Sequence, residues 1–72
     1  MPKTYTPKEV LKRFKRLGFF EDRQSGSHKI LYHPQTKTRA VIPYHLKELL
    51  KGTFSAILKE SKVSMEDFEK SK

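Results

Sequence analysis

The sequence predicts an α+β domain: a three-stranded antiparallel sheet with helices packed on one face, in the order α-β-β-β-α plus a short C-terminal extension. Three observations predict it. A capped apolar stripe with helical periodicity opens the chain. Three short β-rich runs separated by turn residues fill its middle. A second helical apolar pattern follows Gly52. Helices at both ends of an antiparallel sheet bury one of its faces and leave the other open.

The first helix is the stretch TPKEVLKRFKRLG, residues 6–18. Thr6 is its N-cap, Pro7 occupies the first helical position, and Glu9 three residues on completes a capping box. Val10, Leu11, Phe14 and Leu17 form the apolar stripe, while Lys8, Lys12, Arg13, Lys15 and Arg16 fill the remaining faces. Gly18 ends the helix by accepting a left-handed conformation. Basic residues in the last turn suit the helix dipole.

FFEDRQ (19–24) is the first strand, with imperfect alternation, and SGS (25–27) is a turn. HKILYH (28–33) is the clearest strand. Its His28, Ile30 and Tyr32 share one face, and Lys29, Leu31 and His33 share the other. PQTK (34–37) is a turn opened by Pro34, and TRAVIP (38–43) is the third strand, closed by Pro43. Short links between consecutive strands make an antiparallel meander. YHLKELLKG (44–52) reads as a helical turn or an irregular link. TFSAILKES follows as the second main helix, capped by Thr53 or Gly52, with Phe54, Ile57 and Leu58 on one side. VSMEDFEK gives a last short helix with Ser64 as cap and two acids in its first turn.

At 72 residues the chain is one domain, spanning 1–72, with its terminal EKSK expected to fray. So small a domain buries only about 60% of its unfolded surface. Ordering costs about 1.5 kcal/mol per residue, so modest stability alone and a gain from a partner are expected. Sixteen Lys and Arg against eight Asp and Glu give a net charge of +8 and a pI near 9.9. A field of that sign attracts polyanions. There is no cysteine, which excludes disulfides and thiolate zinc sites and agrees with a reducing cytoplasm. MPKTYTPKEV has no apolar core, so no secretory signal is expected there. No run approaches the ~18 apolar residues that span a membrane.

His28 is the candidate catalyst. A lone histidine is more often a packed or surface residue, but three features favour chemistry here. It follows a Gly-Ser turn whose N–H groups suit an anion, it stands in a strongly cationic field, and no rival constellation exists. The sequence has no Ser or Cys triad signature and no phosphate-binding glycine loop. A metal held by His28, His33 and His45 is disfavoured, because His28 and His33 lie on opposite faces of one strand. RNA carries its own nucleophile, the 2′-hydroxyl. A protein has only to remove that proton, or protonate the departing 5′-oxygen, and offset charge on the phosphorane. Histidine acid–base catalysis is worth about 10² to 10⁴ in rate, nearby cations stabilise the charge, and no metal or cofactor is needed. Whether His28 serves as acid or base stays open.

The segments LGFFEDRQSGSHKILYHP, VIPYH and KELLKGTFSAILKES resemble the HicA (YcfA-like) toxin family. The elements that carry the resemblance are Gly-Ser-His, the His-Pro turn, Pro-x-His and Lys-Gly-Thr, over about residues 7–63. The resemblance implies a fold similar to a double-stranded-RNA-binding domain. It implies a type II toxin that cleaves mRNA and halts translation, with His28 as its catalytic histidine. It also implies a HicB-like antitoxin that occludes that residue. Gly26 and Ser27 would shape the turn, and His45 matches the Pro-x-His element as an RNA contact. Lys12, Arg16, Arg23 and Lys29 are the cations expected on phosphate, each steepening the salt dependence of binding. Phe14, Phe19, Phe20 and Phe54 are expected in the core, with Tyr32 and Tyr44 as stacking candidates. A noncatalytic basic RNA-binding module is the alternative, and a small protein whose basic face serves only an acidic protein is a further one.

Overall fold

A computed structural model describes residues 4–71. Its elements are α1 (Pro7–Arg16), β1 (Phe20–Ser25), β2 (His28–His33), β3 (Thr38–Pro43), α2 (Lys51–Ser61) and α3 (Met65–Lys70). The strands form one antiparallel sheet in the order β1-β2-β3. The α+β expectation and the meander are therefore met. None of the described helices is long and apolar enough to cross a membrane.

Local chemistry explains α1. Thr6 is extended and its hydroxyl accepts the Glu9 N–H at 3.1 Å. The Glu9 carboxylate turns to Arg13 instead, at 2.8 Å, so the cap works through Thr6. At the other end Gly18 adopts φ +106°. Its N–H donates to the Lys15 carbonyl and the Phe19 N–H donates to the Phe14 carbonyl, which is the paired pattern of a Schellman cap. The apolar contact that accompanies such caps is present, with the Phe14 and Phe19 rings 5.0 Å apart.

β2 supplies the division between faces. Leu31, Ala40 and Ile42 are fully buried beneath the helices. They pack with Val10, Leu11 and Phe14 of α1 and Phe54, Ile57 and Leu58 of α2. Residues directly opposite on neighbouring strands share a face, so the pairs Ile30↔Val41 and Tyr32↔Arg39 lie on the uncovered side. A bulge between Glu21 and Arg23 shifts the register of β1, which is why that segment alternates imperfectly. It also leaves Phe20 opposite Tyr32 on the open face, 47% exposed. The expectation that Phe20 joins the core is corrected by this register.

Two other expectations change. α2 begins at Lys51 after Leu50, which offers no side-chain cap. The preceding Leu49 is buried, and its N–H donates to the Tyr5 carbonyl at 2.8 Å in an isolated bridge. A tertiary pairing, rather than a local cap, fixes where this helix starts. Arg13 is not a solvated cation: it is 6% exposed, with its guanidinium between the rings of Tyr5 and Phe68.

His33 joins α1 to the β2–β3 turn. Its Nδ1 accepts the N–H groups of Gln35 and Thr36 at 3.2 and 3.3 Å. That leaves the proton on Nε2, which donates to the Leu17 carbonyl at 3.1 Å. The ring also meets Phe19 edge-on at 5.0 Å. His33 is a structural turn residue, as the His-Pro sequence suggests.

Candidate active site

A two-residue turn, Gly26–Ser27, links the paired residues Ser25 and His28. Gly26 adopts φ +60° at the first turn position, which type II′ hairpin turns reserve for glycine. Gln24 Nε2 donates to the Gly26 carbonyl at 3.1 Å and steadies the bend. The Ser27 carbonyl then accepts the Tyr44 N–H at 2.8 Å, so the chain leaving β3 is tied to the turn.

That tie has a chemical result. His28 pairs with Pro43, the last residue of β3, and His45 lies two residues further on. The rings of His28 and His45 come within 5.8 Å, centroid to centroid, at an interplanar angle of 65°. Both side chains belong to exposed residues. Two imidazoles that solvent and a polymer can reach therefore stand together at one end of the sheet.

Lys29 flanks them on the helix side. Its ammonium lies 4.7 Å from the Tyr44 ring centroid and 3.4 Å from Glu21 Oε1. Lys15 of α1 reaches the same oxygen, also at 3.4 Å. Partial burial pushes the Glu21 carboxyl up, but Lys15 and Lys29 more than offset it and hold the group below its ordinary value. One acid shared by two ammonium groups leaves a surplus positive charge on the helix side of the sheet.

The structure thus brings Gly26, Ser27, His28, Lys29 and His45 together. Arg23 shares the open face with His28, opposite Ile30; among the described residues its only ion pair is a loose 3.9 Å contact with Asp22. Lys12 and Arg16 are not part of the cluster. Lys12 is exposed on α1, and Arg16 Nη1 points to the Ser71 carbonyl at 3.5 Å, beyond the end of α3. Tyr44, expected only as a stacking candidate, instead faces the Lys29 ammonium, and Lys15 of α1 shares Glu21 with that lysine. A register count would have exposed Tyr44: a four-residue turn pairs His33 with Thr38 and so brings Pro43-Tyr44-His45 alongside His28.

A cavity of about 250 Å³ lies elsewhere, lined by Leu17, Phe19, His33, Thr38 and Val63 among others. It contains the structural histidine, at the opposite end of β2 from His28. His28 does not line it.

A family model described as the HicA toxin of bacterial toxin–antitoxin matches residues 7–63. The match covers α1, all three strands and α2, and includes His28, Lys29 and His45. No curated protein matches the chain.

Proposed function

Since the chain belongs to the HicA toxin family of bacterial toxin–antitoxin systems, we propose that this toxin is a metal-independent endoribonuclease that cuts mRNA through His28 and so blocks translation. The observation that carries the reading is the exposed His28–His45 pair, with ring centroids 5.8 Å apart.

The chemistry needs two proton transfers. One imidazole takes the proton from a 2′-hydroxyl as its oxygen attacks the adjacent phosphorus. The P–O5′ bond breaks, and the departing 5′-oxygen takes a proton from a protonated imidazole. The products are a 2′,3′-cyclic phosphate and a 5′-hydroxyl, and no electron or cofactor enters the balance. His28 acts as one of these groups, and His45 is the candidate for the other. The strongly positive field of the chain offsets charge on the phosphorane. The Gly26–Ser27 turn sets His28 at the start of β2, on the open face of the sheet. mRNA places the action in the cytoplasm. The partner is a HicB-like antitoxin that covers the exposed histidines.

The test compares wild-type and His28→Ala protein on RNA in the presence of EDTA, with the cut ends mapped. The variant is expected to bind RNA and antitoxin while losing at least about 10²-fold in cleavage. Undiminished cleavage by His28→Ala ends the assignment. Salt-sensitive binding with RNA left intact by the wild type identifies a noncatalytic RNA-binding module instead.

A further inference from the structure

The pairing register arranges the open face of the sheet in rows. Phe20 pairs with Tyr32, and Tyr32 with Arg39. The next row is Arg23, Ile30 and Val41, and the row after it holds Ser25, His28 and Pro43. Because residues directly opposite share a face, all three rows look away from the helices. An aromatic pair with an arginine therefore stands at one end of a face whose other end is His28. Along β2 the separation from Tyr32 to His28 is four residues, about 13 Å.

The rows have the composition of a stacking platform. Phe20 is 47% exposed and meets Tyr32 edge-on at 5.9 Å. Ile30 and Val41 are half-buried and give the face an apolar floor. Arg39 is exposed and has no ion pair among the described residues; Arg23 has only its loose contact with Asp22. An exposed aromatic on an apolar floor with cations at its margin matches bases and phosphates together. It matches the large positive net charge of the chain as well.

We infer that the open sheet face is a binding track for single-stranded RNA, with bases on Phe20 and Tyr32 and phosphates at Arg39 and Arg23, leading the strand to His28. This deepens the endoribonuclease reading and rests on it. The occupant is single-stranded because a duplex hides the faces of its bases, whereas unpaired bases can splay onto aromatic side chains. Attack by a 2′-hydroxyl in line with the departing oxygen demands the same freedom of the strand.

The experiment uses a fluorescent single-stranded 2′-O-methyl RNA, which lacks the nucleophile and stays intact, and reads its affinity by anisotropy. Cleavage of the matching unmodified RNA is measured in parallel. Phe20→Leu combined with Tyr32→Val keeps an apolar, strand-compatible face and removes the π surfaces. It is expected to weaken binding at least about 5-fold, as loss of a stacked base implies. Phe20→Tyr and Tyr32→Phe are expected to retain wild-type affinity. Arg39→Ala, at an exposed position that cannot unfold the domain, is expected to weaken binding and reduce its salt dependence by about one phosphate contact. It keeps the test decisive if the double variant melts early. Wild-type affinity and cleavage in all variants overturn the track while leaving the nuclease reading intact. A wild type that neither binds nor cuts RNA overturns both. Variants that keep RNA affinity but lose a protein partner show that the face belongs to that partner, which also overturns the track.

Discussion

Arg13 grips Phe68 in two ways. Its guanidinium lies over the Phe68 ring, 4.9 Å from the centroid, and its Nη1 is 3.5 Å from the Phe68 carbonyl oxygen. The Tyr5 ring covers the group at 5.0 Å, and Glu9 accepts from Nε at 2.8 Å. A charge this buried is tolerated because the carboxylate neutralises it and two π faces replace water. Arg13→Ala removes all of these and is expected to cost about 2–4 kcal/mol. In a domain of this size that lowers the melting temperature by roughly 10 °C or more. Arg13→Lys keeps the charge without the planar fork and should fall between the two. Thermal melts followed by circular dichroism measure both, and a melting temperature for Arg13→Ala within about 2 °C of wild type would contradict the packing argument.

Acid should weaken the fold through two carboxyls. The Arg13 hydrogen bond holds Glu9 below its ordinary value of 4.5 against partial desolvation. At Glu21 desolvation pushes up, but Lys15 and Lys29 pull down further. With folded values below unfolded ones, the unfolded chain binds more protons as the pH falls. The stabilisation is therefore complete above the ordinary carboxylate value and is lost as pH falls through the folded values. Both side chains are about 40% exposed, so screening keeps the effect small. Melting temperatures between pH 3 and 7 should fall less steeply at the acid end for Glu9→Gln combined with Glu21→Gln. Parallel curves for the two proteins would argue against these pairs.

Two glycines with positive φ should respond unequally to substitution. A Cβ on Gly18 would lie 2.6 Å from His33 Nε2, the nitrogen that donates to Leu17. Gly18→Ala therefore displaces the bolt between α1 and the β2–β3 turn and strains φ +106°, at a cost of about 2 kcal/mol or more. A Cβ on Gly26 meets nothing within 4 Å. Gly26→Ala bears only the backbone cost of the positive φ, about 1–2 kcal/mol, with no clash added. Urea unfolding midpoints should separate the two clearly. Equal midpoints would mean that the His33 contact carries no weight.

The sequence was legible where the signals are local. Thr6, Pro7 and Gly18 mark the ends of α1 within a few residues, and the structure uses each of them. The turn at Gly26–Ser27 and the alternation of β2 were readable for the same reason. What was not readable depends on distant residues. Arg13 is buried by rings from Tyr5 and Phe68, the latter 55 positions away. Leu50 precedes α2 without a cap because Tyr5 pins Leu49. Lys62 ends that helix in a left-handed conformation with no glycine to announce it, and Val63 seals the cap by donating to the Leu58 carbonyl. At the site, Gly-Ser-His marked the turn, but only strand pairing brings His45 to it, and only the bulge turns Phe20 outward.

His45 offers the sharpest division between proton transfer and mere attraction. If it exchanges a proton during RNA cleavage, His45→Ala should slow cleavage about 10²-fold while RNA affinity stays near wild type. If its role is to hold phosphate, His45→Lys should restore cleavage, because a point charge serves that purpose as well as an imidazolium. The two rings meet edge-on with centroids 5.8 Å apart, so a phosphate reaches them from the solvent side and not from between them. Full rescue by lysine would leave His28 as the sole proton-transferring side chain. It would then require the second transfer to pass through water or the substrate itself.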